Sequence, residues 1–132
     1  MDDLKVGDLH IHLDRTAPAF LRLDWLTPCS TEKPLELLGP FFEHVLSEAR
    51  AGGRGIDMHF EALAYLNSSC IAALVRLIKR SREVKVGLRL YYASALKWQT
   101  VTFELLERAI SSATDLRAGS AVEFLPVQAP PA

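Results

Sequence analysis

Ala64-Tyr65-Leu66-Asn67-Ser68-Ser69-Cys70-Ile71-Ala72-Ala73-Leu74-Val75 is the stretch whose reading decides the fold of this chain. Before it, Ile56, Met58 and Phe60 alternate with polar neighbours, which predicts a strand over Ile56 to Tyr65. Asn67 and Ser68 are both good N-cap residues, and from Cys70 the apolar period changes from two to that of a helix. Ile71, Leu74, Val75 and Ile78 form the expected buried stripe, while Arg76, Lys79, Arg80 and Arg82 crowd the C-terminal half, where positive charge suits the helix dipole. A strand that runs directly into a helix is half of a βαβ crossover.

Working outward, the same alternation of elements continues on both sides. Val86 to Tyr92 reads as the next strand, followed by a helix whose inner face is expected to be Trp98, Val101, Leu105, Leu106, Ala109 and Ile110. Ala121 to Val127 could add an edge strand, and the Pro-rich tail Gln128 to Ala132 is expected to be disordered. On the N-terminal side, Leu38, Phe41, Phe42, Val45, Leu46 and Ala49 recur at helical spacing. Gly39-Pro40 either starts that helix or kinks it, and Gly52-Gly53 stops it. Thr27 to Pro34 reads as a loop. Leu9, Ile11 and Leu13, then Phe20 to Trp25, alternate as two short strands of an antiparallel hairpin. The order β-β-α-β-α-β-α-β predicts an α/β domain over residues 1–127, a mixed β-sheet with parallel pairs covered by amphipathic helices.

The whole-chain properties narrow the function classes. With 132 residues, 49% hydrophobic and 23% charged, the chain suits one globular domain. A formal net charge of −1 builds in no bulk attraction to nucleic acid or to anionic lipid. Met1 to Lys5 carry acids and do not read as a secretory signal, and no apolar run approaches the roughly 20 residues of a membrane span. A cytoplasmic location follows as the expectation, and with it Cys29 and Cys70 as free thiols.

The quoted stretch resembles the phosphorylation segment of STAS domains, the anti-sigma-factor antagonists, in which a strand ends in Asp-Ser-Ser/Thr-Gly and a helix begins. It resembles more closely the SiaC-like regulatory phosphoproteins, whose segment reads Leu-Asn-Thr/Ser-Ser, as Leu66-Asn67-Ser68-Ser69 does here. Leu37-Leu38-Gly39-Pro40-Phe41-Phe42 is similar to that family's aromatic-rich helix entry. Asn67 stands where the sigma-factor branch has an acid and Cys70 where it has glycine, so the departures favour the SiaC-like branch. The resemblance implies a STAS-like fold in a bacterial signalling protein that is not itself an enzyme. It implies that Ser68, with Ser69 as fallback, accepts phosphate from a partner protein serine kinase. A metal-dependent protein phosphatase would reverse the modification, and the unmodified form would bind a target. That target is a diguanylate cyclase in one branch and an anti-sigma factor kinase in the other.

Elementary electrostatics suits such a switch. A serine at the mouth of a helix faces unpaired backbone N–H groups and the positive end of the dipole. Phosphate there adds about −1.5 to −2 charge at neutral pH, held by those donors while it repels or blocks a partner. The competing reading is that Asn-Ser-Ser only caps the helix and that the domain is a constitutive interaction module.

Other candidates carry less chemistry. His10 and His12 share one side of a strand, but with only His44 and His59 as further imidazoles they read as a polar stripe, so no metal or cofactor is expected. Cys70 at a helix N-terminus is a candidate low-pKa thiol, weighed against a small residue tucked under the helix. Asn67, Ser69, Cys70, Tyr92 and Trp98 are the candidate partner contacts. Tyr92 and Trp98 flank a loop that parallel strands would bring to the same end of the sheet as Ser68, although Trp98 also suits a core anchor. Gly52-Gly53-Arg54-Gly55 lacks phosphate-loop spacing, and no catalytic constellation is present.

Overall fold

The computed structural model describes residues 3–6, 9–26, 34–63, 65–113 and 122–127. The expected Thr27 to Pro34 loop, save Pro34 itself, lies outside the described residues, as do Cys29, Ala121 and the tail. Six strands and three helices follow one another as β1 (Leu4–Val6), β2 (Leu9–Asp14), β3 (Phe20–Trp25), α1 (Pro34–Ala51), β4 (Gly55–His59), α2 (Ser68–Glu83), β5 (Leu88–Ala93), α3 (Lys97–Ala113) and β6 (Val122–Val127). The strands lie in the sheet in sequence order. The first three are antiparallel neighbours, and β3 to β6 are parallel. This is the mixed α/β sheet expected, with one strand more.

That strand, β1, has only three residues and too little apolar pattern to announce itself. Its pairing with β2 also means that the Leu9 strand is not the sheet edge. Asp3, just before it, acts as a staple: its carboxylate accepts from His10 Nε2 and His12 Nδ1, both at 2.9 Å, and from the Leu13 N–H at 3.1 Å. The His10 hydrogen bond leads in holding the Asp3 carboxyl far below the usual carboxylate range, against opposing desolvation, and the bonds from His12 and Leu13 add to it. An acid whose folded pKa is depressed contributes stability that is complete above its unfolded value, about 4, and is lost as pH falls toward the folded one. Protection of the β1 amides that point toward β2 should therefore weaken as pH is lowered from 5 to 2, and Asp3→Asn should abolish that dependence; amide exchange against pH measures both.

Each parallel crossover joins neighbouring strands, and right-handed connections of this kind place α1, α2 and α3 on one face of the sheet. Leu21, Leu23, Ile56, Met58, Leu88 and Leu90 are buried beneath them. The opposite face carries a row of alternating charge set by register: Asp14 beside Arg22, Arg22 beside Asp57, Asp57 beside Arg89, Arg89 beside Glu123. Arg89 grips Asp57 through Nε at 2.6 Å and an amino nitrogen at 2.8 Å, and its guanidinium lies 3.6 Å from the Phe20 ring centroid. Opposite-charge neighbours across strands contribute roughly 0.2–1 kcal/mol each, and they leave this row without a single-sign field.

Helix α1 does not start at Pro40. It begins with Pro34, a residue suited to a first helical turn, and contains Pro40. Both Pro40 and Glu36 are exposed, so the carbonyl that loses its donor can be hydrated. Gly53, at φ +65°, supplies the left-handed stop.

The inner faces of α2 and α3 are rotated from those expected. On α2 the buried residues are Cys70, Ala73, Leu74, Leu77, Ile78 and Ser81, whereas Ile71 and Val75 are only half-buried. On α3 Gln99, Phe103 and Leu106 are buried, while Val101 and Leu105 are 47% and 56% exposed. The apolar residues of these helices cover two faces, one against the sheet and one lining a groove of about 270 Å³ between Ile71, Val75, Thr102, Leu105 and Leu106. A single stripe cannot describe both.

Candidate functional site at the start of the second crossover helix

Strand β4 stops at His59, earlier than its apolar alternation suggests, and residues 60–67 carry the chain to α2. Phe60 anchors the departure. Its N–H donates to the Tyr91 carbonyl at 2.9 Å, and the Leu63 N–H returns to the Phe60 carbonyl at 2.9 Å. The ring completes an aromatic line beneath the carboxyl ends of the strands, 5.1 Å from Trp25 and 4.9 Å from Phe103, with Tyr92 stacked on Phe103 at 5.3 Å.

Helix α2 has Asn67 as its N-cap, in extended conformation at φ −77° and ψ 167°. Its Oδ1 accepts from the Cys70 N–H at 2.8 Å, a bond typically worth about 1 kcal/mol to a helix start. Ser68 and Ser69 are then the first two helical residues, and both are exposed. Capping is thus the work of Asn67, and the Ser68 hydroxyl stands at the helix mouth. The first turn of α2 holds no acidic side chain, and its last turn holds Arg80 and Arg82. The dipole field at Ser68 is accordingly not offset by a carboxylate on its own helix.

The other sequence-derived candidates fall into two groups. Because β4 and β5 are parallel, the loops that follow them meet at the same end of the sheet. Trp98 is half-buried and packs against the core from there. Tyr92 is buried, and that burial pushes its hydroxyl pKa up. Cys70 is fully buried and disulfide-bonded. Of the candidate contacts, Tyr92 and Cys70 are thus buried as placed, and Cys70 is not the free thiol expected. At the same end, Tyr65 and Leu96 are 52% and 38% exposed and were not singled out by the sequence pattern.

Sequence reasoning also passed over Gln99. It is fully buried; Nε2 donates to the Phe60 carbonyl at 2.8 Å and the Leu63 carbonyl at 2.9 Å, and Oε1 accepts from the Ala93 N–H at 2.8 Å. A glutamine inside an apolar helical stripe was the available signal. Elsewhere, a cleft of about 520 Å³ between α1 and α2 is floored by Leu38, Phe42, Ala73 and Leu77, beginning more than one turn along α2 from Ser68. Among the described residues no group of three or more His, Cys, Asp or Glu is placed to hold a metal ion, and no helix is long and apolar enough to cross a membrane.

Comparison with solved structures gives this arrangement a context. SiaC of Pseudomonas aeruginosa superimposes with a TM-score of 0.61 at 20% identity, over 98% of this chain and 100% of that one. The anti-sigma factor antagonist SpoIIAA in its unphosphorylated form matches with a TM-score of 0.50 at 15% identity, over 77% of this chain and 96% of that one. The fold is STAS-like. SiaC in a complex of the Pseudomonas aeruginosa diguanylate cyclase SiaD with its activator SiaC also matches, at a TM-score of 0.58 and 20% identity, over 92% of this chain and 98% of that one. No family model matches the chain, and no curated protein sequence does. What these likenesses establish is the STAS-like architecture, an α/β sheet with three helices shared with regulatory proteins.

Proposed function

We propose that this STAS-like domain is a phosphorylation-gated interaction module in bacterial cytoplasmic signalling, with Ser68 as the acceptor. The observation that carries the reading is the exposed Ser68 in the first turn of α2, with the N-cap duty taken by Asn67. A phosphate there meets unpaired helix N–H groups and the positive dipole end, so it adds charge without unfolding the helix. It is a kinase substrate and not an enzyme; Cys70, buried and disulfide-bonded, supports that by offering no accessible nucleophile. The functional unit is residues 1–127.

A protein serine kinase and a metal-dependent phosphatase are the opposing partners, and the unmodified form binds a target. The likeness to SiaC, described as activator of a diguanylate cyclase, supports a cyclase as that target, ahead of an anti-sigma factor. Asn67 and Ser69 flank the acceptor and Trp98 lies on the neighbouring loop; these are the contacts we assign to the partner surface. The second reading, a constitutive module, draws on the apolar groove between α2 and α3, a surface that needs no modification to bind.

Phosphopeptide mapping of the protein isolated from its own cells separates the two. Phosphate on Ser68, absent from Ser68→Ala, is the expected result. An unmodified Ser68 across several growth conditions would leave the constitutive module.

A further inference from the structure

We infer that Gln99 is the positioning residue of the Ser68 site, a side-chain clamp that makes one recognition surface of the loops following β4 and β5; this rests on the phosphorylation-gated reading above. A glutamine amide has one acceptor and two donors to satisfy when buried. Here all are used, and they are divided between two loops. The carbonyl oxygen takes the buried Ala93 N–H at the end of β5, and the amide nitrogen gives its two hydrogens to Phe60 and Leu63 in the segment leading to Asn67 and Ser68. Those carbonyls belong to a turn that also closes on itself through the Leu63 N–H. β4 ends at His59, so these side-chain bonds join the two loops beyond the β4–β5 strand pair.

The consequence reaches the surface on both loops. Tyr65 precedes the Ser68 helix by three residues and Leu96 precedes Gln99 by three, and both are exposed apolar side chains at this end of the sheet. A kinase or target that docks on the loop after β5 meets Ser68 in a defined place only if the two loops move together. Removing the amide takes the Gln99 bond from the Ala93 N–H and the Leu63 carbonyl and leaves the Phe60 carbonyl with the Leu63 N–H, a local cost that falls on these loops before it falls on the sheet.

Two variants test the clamp by amide exchange. In Gln99→Met, which keeps side-chain length, the Leu63 and Ala93 amides should exchange about 10-fold faster relative to Ile11 and Leu23 in the sheet. In Gln99→Glu, which keeps the acceptor and loses both donors, Leu63 should speed up while Ala93 stays slow. Ser68 phosphate in the protein from its own cells should fall several-fold in both variants. Acceleration of loop and sheet amides by one common factor, or by none, overturns the clamp. Selective loosening with unchanged Ser68 phosphate overturns the positioning role. If the unsubstituted protein carries no Ser68 phosphate, the phosphorylation reading fails and with it the positioning role, while the exchange result still decides whether Gln99 joins the two loops.

Discussion

Phe60→Ala is expected to lower the unfolding free energy by about 3–5 kcal/mol, read from the denaturant midpoint at constant slope. The size follows from where the ring sits. It is fully buried between Trp25 of β3 and Phe103 of α3, and the neighbours that would have to collapse into the void belong to different elements. Trp25 is held by its own strand and by Phe42 of α1, 6.0 Å away, so it cannot follow. Phe103 is also held by its stack with Tyr92. Phe60→Leu, which restores most of the apolar volume, should recover more than half of the loss. A loss below about 1.5 kcal/mol for the alanine variant would mean that the site closes over the cavity, and the aromatic line would then not be the rigid support of the Ser68 loop.

Gly55→Val should cost about 1–3 kcal/mol through overpacking, despite valine's preference for strands. A Cβ at Gly55 would lie 2.5 Å and 2.8 Å from the Phe20 ring carbons and 3.0 Å from the Gly87 carbonyl oxygen. The carbonyl is backbone and moves little. The ring is also in contact with the Arg89 guanidinium, 3.6 Å from its centroid, which Asp57 holds with two hydrogen bonds. Phe20→Ala combined with Gly55→Val should therefore be more stable than the sum of the single losses, by about 1 kcal/mol or more, because the first change empties the space the second needs. Additive losses would show that the Gly87 carbonyl, and not the ring, limits the site.

The local readings that held have a common physical basis. Period-two alternation in Leu9 to Leu13 and Phe20 to Trp25, and helical spacing in Leu38 to Ala49, report which side of an element must leave water, and each element formed where that signal was strong. Asn67 was legible as a cap because its short side chain favours that position in any sequence. The misses share a cause as well. On α3 the sequence offers Val101 and Leu105 as readily as Phe103 and Leu106, and only the position of the sheet decides which pair is covered. Strand β1 depends on Asp3 reaching two histidines on β2, seven and nine residues away, which no local pattern contains.

By itself, then, the chain's sequence determined the type and order of nearly all its elements, the α/β class and a serine beside a helix cap, since these depend on propensity and periodicity within a few residues. The tertiary structure decided what required register between distant segments. That covers the alternating charges from Asp14 to Glu123, the burial of Tyr92 and Cys70, and the choice of inner face on α2 and α3. It covers Gln99 most of all, because a side chain that joins three backbone groups more than one loop apart has meaning only once the parallel strands have brought those loops together.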